Sequence, residues 1–178
     1  MKYFIDYFFG CFFDKALFNS KYFTEQKIGY LWVLRSLFFQ KIFRYNAQAK
    51  FPVSHLTRID NPENIIFDYS DLQNFQHFGC YYSNSNGGKI TIKKGTFIAP
   101  NVGIVTTNHQ KNNLIHHDPP LDVTVGENCW IGMNSVILPG VCLGPGTIVG
   151  AGSVVTKSFP EGAVVIAGSP ARIIEHVK

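Results

Sequence analysis

The sequence predicts a mainly β protein: a parallel β-helix of six-residue units over residues 51–168, between a helical segment (1–50) and a short C-terminal helix (169–178). Two observations predict this class. Aliphatic residues recur every six positions in the long central part, and a helical, aromatic pattern fills the first fifty residues. With 178 residues, of which 46% are hydrophobic and 16% charged, the chain suffices for one domain with a core and is not generally disordered.

The N-terminal segment is expected to be helical. Between Lys27 and Tyr45 the apolar residues fall mostly three and four positions apart, with basic residues between them. Residues 3–23 are less regular, and Gly10 and Asn19–Ser20 are the expected interruptions. Uncharged runs here reach only about seven residues, against roughly 20 for a bilayer-spanning helix. We therefore predict no transmembrane helix and, without a secretory signal, a cytoplasmic protein.

Charge and aromatic residues are distributed unevenly. Residues 1–50 hold 16 of the 26 aromatic residues and eight basic against three acidic ones, whereas residues 51–178 carry eight basic and nine acidic residues. Such a cationic, amphipathic segment fits two interpretations: peripheral contact with a membrane, or packing on the β-helix or on a neighbouring subunit. The overall charge of +4 is too mild to indicate a nucleic-acid partner.

A period of six identifies the β-helix. The main series is Val125, Ile131, Ile137, Leu143, Val149 and Val155; a second block is Ile92, Ile98 and Ile104; a weaker third is Ile66, Leu72 and Phe78. A six-residue unit of one short strand and one turn produces this pattern, whereas an α-helix or a plain strand does not. Three units close a coil of about 18 residues, and coils stack as parallel strands roughly 4.8 Å apart. The aliphatic residue is expected to point inward, with glycine or asparagine at the corners.

Two segments depart from the repeat. The step from Ile104 to Val125 is 21 residues, which is not a multiple of six, so residues 107–122 are predicted to leave the coil as a loop. Loops on a rigid scaffold often carry chemistry, and this one contains His109, His116 and His117. At the C-terminus, Ser169 and Pro170 match the cap and first position of a helix.

Three stretches carry a family resemblance: IAPNVGIVTTNH (98–109), VTVGENCWIGMNSVILPGVCLGPGTIVGAGSVVTK (123–157) and AGSPARII (167–174). They resemble the hexapeptide-repeat acyltransferases with a left-handed β-helix, and most closely the sugar O-acetyltransferases of the galactoside, maltose and polysaccharide type. The resemblance covers roughly 65–178. It implies a left-handed coil, a homotrimer with active sites between subunits, and acetyl transfer from acetyl-CoA to a hydroxyl group.

The resemblance also implies roles for individual residues. His109 stands where the family has its catalytic histidine, which takes the hydroxyl proton during attack on the thioester. The positions that would contact coenzyme A are Trp130, Ala151, Ser153, Thr156, Lys157 and Arg172. Trp130 is too large for the coil interior, so we expect it on the outer face.

The acceptor side is less defined by the resemblance. Where galactoside-type enzymes place an asparagine, an ungapped count puts Gly79, with Asn84 and Asn86 nearby. Asn84, Asn86, His116 and His117 are therefore the candidates for substrate binding.

No metal is predicted. The related β-helix carbonic anhydrases hold zinc with a His-x4-His pair and a third histidine, whereas the loop histidines are spaced by seven and one. The four cysteines show no C-x2-C spacing.

The expected function is acetyl-CoA-dependent O-acetylation of a surface polysaccharide of bacterial type, or of its precursor, free or linked to a lipid. In that case the protein would work in the cytoplasm or at the inner face of the membrane. Two alternatives remain open: an acetyltransferase for a small acceptor (an antibiotic, serine or a free sugar), and a catalytically silent β-helix that serves as a scaffold.

Overall fold

A computed structural model describes residues 2–177. The N-terminal segment contains α1 (Lys2–Phe9), a 3-10 helix (Lys15–Asn19), α2 (Lys21–Thr24), α3 (Ile28–Ser36) and a π-helix (Leu37–Ile42). Breaks fall at Gly10 and at Ser20, which confirms the predicted interruptions, and a further one lies at residues 25–27, between α2 and α3. Two further 3-10 helices, Pro62–Asn64 and Tyr69–Phe75, lie inside the β region.

The strands of the described residues are short, and most have two or three residues. In chain order they are β1 (Arg58–Ile59), β2 (Ile65–Phe67), β3 (Tyr81–Ser83), β4 (Ile90–Ile92), β5 (Phe97–Ile98), β6 (Gly103–Val105), β7 (His109–Gln110), β8 (Asn113–His117), β9 (Val123–Val125), β10 (Trp130–Ile131), β11 (Val136–Ile137), β12 (Cys142–Leu143), β13 (Ile148–Val149), β14 (Val154–Val155), β15 (Val164–Gly168) and β16 (Ala171–His176).

Three parallel sheets form the sides of a coil. Sheet 1 contains β2, β4, β9 and β12; sheet 2 contains β5, β10, β13 and β15; sheet 3 contains β1, β3, β6, β11 and β14. The chain visits sheets 1, 2 and 3 in turn, with one strand in each. Ile131 pairs with Val149, and Ile137 with Val155, so each residue lies over the one 18 positions later. This register confirms the predicted coil of three six-residue units.

The inward positions confirm two of the three predicted blocks. All residues of the main series and of the block Ile92, Ile98 and Ile104 are at most 1% exposed. In the third block Leu72 is buried, but Ile66 and Phe78 are each 50% exposed, so that phase was wrong. The physical reason is the 3-10 helix Tyr69–Phe75, which replaces a strand of sheet 2 in the first coil and breaks the period of six.

The corners of the coil require a left-handed backbone. Asn101, Asn134 and Gly152 have φ of 59°, 61° and 70° in successive coils between sheets 2 and 3. Asn128 and Gly146 do the same between sheets 1 and 2, with φ of 54° and 68°. Glycine and asparagine adopt this conformation at lower cost than β-branched residues, as the sequence predicted.

The predicted C-terminal helix over 169–178 is wrong. Residues Ala171–His176 form β16, which pairs antiparallel with β15, and Ser169 and Pro170 form the turn between them. β15 is the last parallel strand of sheet 2, so its outer edge offers backbone groups that β16 pairs. Ile173 and Ile174 also favour a strand because they are β-branched.

Residues 2–50 form a cap on the N-terminal end of the coil. Gln40 is buried and donates to the Phe51 carbonyl (3.2 Å), and its side-chain oxygen accepts from the Val53 amide (2.9 Å). Asn46 bonds Thr57 and Ile59 in the same way. The cap therefore packs on its own β-helix, as one of the two interpretations expected. Among residues 2–177, no helix is both long and apolar enough to cross a membrane.

Candidate functional site

Two corners of the coil carry most of the candidate residues. The loop corner joins sheet 3 to sheet 1 and consists of residues 84–89, 106–122, 138–141 and 156–158. The second corner joins sheet 2 to sheet 3 and consists of residues 99–102, 132–135 and 150–153. Sheet 3 lies between them, so its full width separates the two sets of side chains.

The predicted loop is an antiparallel hairpin. β7 and β8 pair with each other and with no parallel sheet, and both are largely exposed. The base of the hairpin is fixed where it leaves the coil. The Thr107 hydroxyl donates to the Asp118 carbonyl (2.9 Å), the Asp118 amide donates to the Asn108 carbonyl (2.9 Å), and the Leu121 amide to the Thr106 carbonyl (2.7 Å). His109 therefore lies just beyond a base that three hydrogen bonds hold together.

The hairpin brings two of its three histidines together. His109 and His117 are register partners, and their ring centroids lie 4.1 Å apart at an interplanar angle of 37°. His116 precedes His117 on the same strand, and successive strand residues point to opposite faces, so its side chain lies on the other face. All three are exposed. The geometry thus pairs His117, and not His116, with the predicted base.

Two of the predicted coenzyme A residues share the loop corner with His109. Thr156 and Lys157 are exposed and follow β14, whereas the hairpin follows β6. β6 and β14 are separated in sheet 3 by β11 alone, so Lys157 lies about 10 Å from the hairpin base along the coil axis. The Lys157 Nζ atom lies 5.4 Å from the centre of the Phe159 ring.

The other four coenzyme A candidates lie elsewhere. Ala151 is exposed and Ser153 is buried at the second corner, and the Ser153 hydroxyl oxygen accepts from the Gly168 amide (3.1 Å). Trp130 is 56% exposed on the outside of sheet 2, which confirms the expected outward position. Arg172 is exposed on β16, and its guanidinium donates to the Ala171 carbonyl (2.9 Å).

Asn84, one of the acceptor-side candidates, links two coils. Its side chain is fully buried, its amide nitrogen donates to the Asn61 carbonyl (2.8 Å), and its oxygen accepts from the Asn61 amide (2.9 Å). These contacts give the Asn84 side chain a structural role. Asn86 is exposed at the loop corner, next to Gly87 with φ of 94°. Gly79 has φ of 70° and lies against Asn101, so it belongs to the second corner.

Sequence reasoning missed a cavity beside Lys157, lined by both apolar and charged side chains. It has a volume of about 330 Å³ and is lined by Lys157, Phe159, Glu161, Ile173 and His176, among others. His176 reaches it because β16 turns back along β15, whereas the expected helix would have carried it away. The apolar, β-branched run AVVIA (163–167), followed by Gly168, Ser169 and Pro170 and then by the β-branched pair Ile173–Ile174, is the signal that could have indicated a hairpin.

Residues 2–177 contain no cluster of three or more histidine, cysteine or acidic side chains that could hold a metal ion.

Comparison with known proteins identifies the repeat. The model of the bacterial transferase hexapeptide (six repeats) matches residues 122–157. A putative lipopolysaccharide biosynthesis O-acetyl transferase of Escherichia coli K12 is 41% identical over 100 residues, which cover 48% of this chain and 50% of that protein. The chain spans about half the length of the curated relatives it matches.

Solved structures share the fold. A maltose O-acetyltransferase from Clostridium difficile 630 aligns with a TM-score of 0.58 and 30% identity, over 71% of this chain and 66% of that chain. A hexapeptide-repeat acetyltransferase from Vibrio cholerae O1 biovar eltor, solved with acetyl coenzyme A, gives 0.56 and 26%, over 67% and 64%. Together with the repeat, these likenesses show that the chain belongs to the hexapeptide-repeat transferase family.

Proposed function

We propose that this protein is an acetyl-CoA-dependent O-acetyltransferase that modifies a sugar hydroxyl of a surface polysaccharide or of its precursor. The observation that carries the proposal is the position of His109, on a hairpin extruded from a hexapeptide-repeat coil and beside a second histidine at 4.1 Å. The names of the relatives support the class of reaction: a maltose O-acetyltransferase, and a transferase of lipopolysaccharide biosynthesis.

His109 acts as the general base. A sugar hydroxyl is a weak nucleophile, and imidazole accepts protons near neutral pH. His109 takes the hydroxyl proton as the oxygen attacks the thioester carbonyl, and returns it to the leaving thiolate. His117 packs against the His109 ring and limits its rotation, so we assign it a positioning role.

Acetyl-CoA is the proposed donor, and the side chains present suit it. Its phosphates require cationic partners, and both Lys157 and Arg172 are exposed. At the second corner, Ala151 and Gly152 are exposed and carry at most a methyl group. An extended pantetheine arm can lie close to the backbone at such residues.

The distribution of these residues supports a trimer. His109 and Lys157 lie at the loop corner, whereas Ala151 and Ser153 lie at the second corner, across the width of sheet 3. One chain does not bring them together, but the loop corner of one subunit can face the second corner of the next. A closed ring of three satisfies this arrangement for every subunit. We also propose the left-handed coil of the family.

The proposed acceptor is a glycan that is free or linked to a lipid, and the proposed site of action is the cytoplasm or the inner face of the membrane. The cap, which consists of residues 2–50, is the part that would contact a membrane surface.

The test is thioester cleavage that depends on an added saccharide. His109→Ala is expected to lower kcat by roughly 100- to 10,000-fold, the usual contribution of a general base. Lys111→Ala, at the exposed tip of the same hairpin, is the matched control and is expected to retain activity. Full activity in His109→Ala would overturn the role of His109.

Two further experiments test the donor and the acceptor. Calorimetry that shows no coenzyme A binding at millimolar concentration would favour the scaffold alternative. Mass spectrometry of glycans from cells with and without the protein would identify the acceptor.

A further inference from the structure

The outer side of the cap carries a group of exposed apolar side chains, which we call the apolar face. Its members are Phe4, Tyr7, Phe8, Leu31, Leu34, Phe38 and Ile42, each at least 49% exposed. Patches of this kind are uncommon on monomeric proteins unless they bind something.

Packing of the cap on the coil does not account for the apolar face, because it uses the other side of the same helices. Val33 and Gln40 are at most 1% exposed and point toward the coil, where Gln40 bonds Phe51 and Val53. Leu31, Leu34, Phe38 and Ile42, at spacings of three and four, form a stripe along the outside of α3 and the π-helix.

A groove joins this stripe to α1. It has a volume of about 630 Å³ and is lined by Ile5, Phe9, Phe23, Thr24, Lys27, Tyr30, Leu31 and Leu34. Ile5 and Phe9 line the groove from α1, and Phe4 and Phe8, which are 75% and 49% exposed, directly precede them on that helix. The groove therefore connects the apolar side chains of α1 with those of α3.

Basic side chains of the cap are exposed, and one of them borders the apolar face. Lys27 lines the groove, and Lys15 is exposed beside Gly10, just after α1. Arg44 and Lys50 are also exposed but line cavities where the cap meets the coil. The cap carries eight basic and three acidic residues. Two of the three carboxylates accept hydrogen bonds from tyrosine hydroxyls: Asp6 from Tyr30 (2.7 Å) and Asp14 from Tyr69 (2.9 Å). The net charge of the cap is positive.

We propose that the apolar face docks on an anionic phospholipid bilayer, with α1 and α3 lying in the plane of the interface and Lys27, at the groove, on a lipid phosphate. This inference rests on the membrane partner named in the proposed function and specifies the side chains that enter the lipid. An apolar, cationic helix surface is suited to this location. A second copy is a poorer occupant, because two caps of charge +5 repel each other when their faces meet.

The experiment is flotation of the full chain with vesicles of phosphatidylglycerol and phosphatidylcholine in equal amounts, and with phosphatidylcholine alone. The test variant is L31E/L34E, two α3 positions that are 62% and 60% exposed. The matched control is I66E/I174E, two strand positions that are 50% and 65% exposed and lie outside the cap. Each side chain lost from lipid should weaken binding by roughly tenfold, so the pair should cost about 100-fold.

The proposal requires binding to the anionic vesicles, weaker binding to phosphatidylcholine and at high salt, loss in L31E/L34E, and retention in I66E/I174E. Circular dichroism checks that both variants are folded. Absence of vesicle binding by the wild-type chain, or equal binding by L31E/L34E, would overturn it. If the wild-type chain does not bind vesicles, and light scattering shows a smaller oligomer for L31E/L34E than for the wild type, the apolar face is a subunit contact and the proposal is wrong. None of these outcomes depends on acetyl transfer, which the coenzyme A calorimetry tests separately.

Discussion

Replacing Asn84 by alanine is expected to destabilise the fold and to leave the activity per folded molecule unchanged. The side chain is fully buried and makes two hydrogen bonds to the Asn61 backbone, at 2.8 and 2.9 Å. These bonds join the segment before β2 to the coil that follows it, 23 residues later. Alanine removes both of them and leaves the Asn61 amide and carbonyl without those partners.

The size of the effect follows from these contacts. Each hydrogen bond contributes about 0.5–1.5 kcal/mol, so the pair is worth ~1–3 kcal/mol of unfolding free energy. In a chain of this length, 1 kcal/mol shifts Tm by about 2–4 °C, so Asn84→Ala should lower Tm by roughly 2–12 °C.

The assay combines thermal unfolding with acetyl-transfer kinetics, both at one protein concentration and the kinetics well below the lower Tm. Asn86→Ala is the matched control for stability, since Asn86 is exposed at the same corner. It should unfold at the wild-type temperature. If Asn84→Ala unfolds like the wild type but loses activity, then Asn84 binds substrate and the structural argument is refuted.

Three other predictions concern single side chains. Lys157→Ala should raise KM for acetyl-CoA by about 10-fold with kcat nearly unchanged, because a charge-assisted contact to phosphate is worth ~1.5 kcal/mol. His117→Ala should lower kcat by roughly 10-fold and change the pH profile of kcat, since the His109 ring loses its neighbour at 4.1 Å. Burial lowers the pKa of His77, so the folded state binds fewer protons than the unfolded state; stability should fall as the pH drops below about 6.5.

Each of these has a control that separates it from a general loss of fold. Lys157→Arg should keep most of the affinity for acetyl-CoA, and an equal loss in Lys157→Arg and Lys157→Ala would argue against a phosphate contact. An unchanged pH profile in His117→Ala would mean that the ring contact has no role. Urea unfolding at about pH 7.5 and about pH 5.5 tests His77; a pH dependence that persists in His77→Gln would assign it to other groups.

The period of six made the coil predictable because each strand of the main series contributes one inward side chain, and glycine or asparagine with positive φ recurs between sheets 1 and 2 and between sheets 2 and 3. The sequence repeats that requirement without a gap from Val125 to Val155. The inward residues of the first coil could not be predicted in this way, because its 3-10 helix Tyr69–Phe75 interrupts the period of six. The C-terminal error has a different origin. Ser169 and Pro170 suit a helix start and a tight turn equally, and only the open edge of β15 decides between them.

Within the candidate site, His109 could be found from the sequence because it lies in the single long interruption of the repeat. Its pairing with His117 depends on the register of a hairpin, which a turn of one more residue would change. The role of Asn84 depends on a partner in the preceding coil, and the sequence does not indicate which residues of two coils face each other. Contacts between coils are thus the part that only the structure provides.

The cap, His109 and Lys157 lie in this order along the coil axis. The cap covers the N-terminal end, the hairpin with His109 leaves the second coil, and Lys157 and the cavity at His176 follow two coils further on, at the other end. The apolar face and the proposed donor phosphates therefore lie on opposite sides of His109. Under the two proposals, an acceptor held at a membrane by its lipid would reach His109 from the cap side, and acetyl-CoA would reach it from the opposite end of the coil. The two substrates would then not have to pass each other.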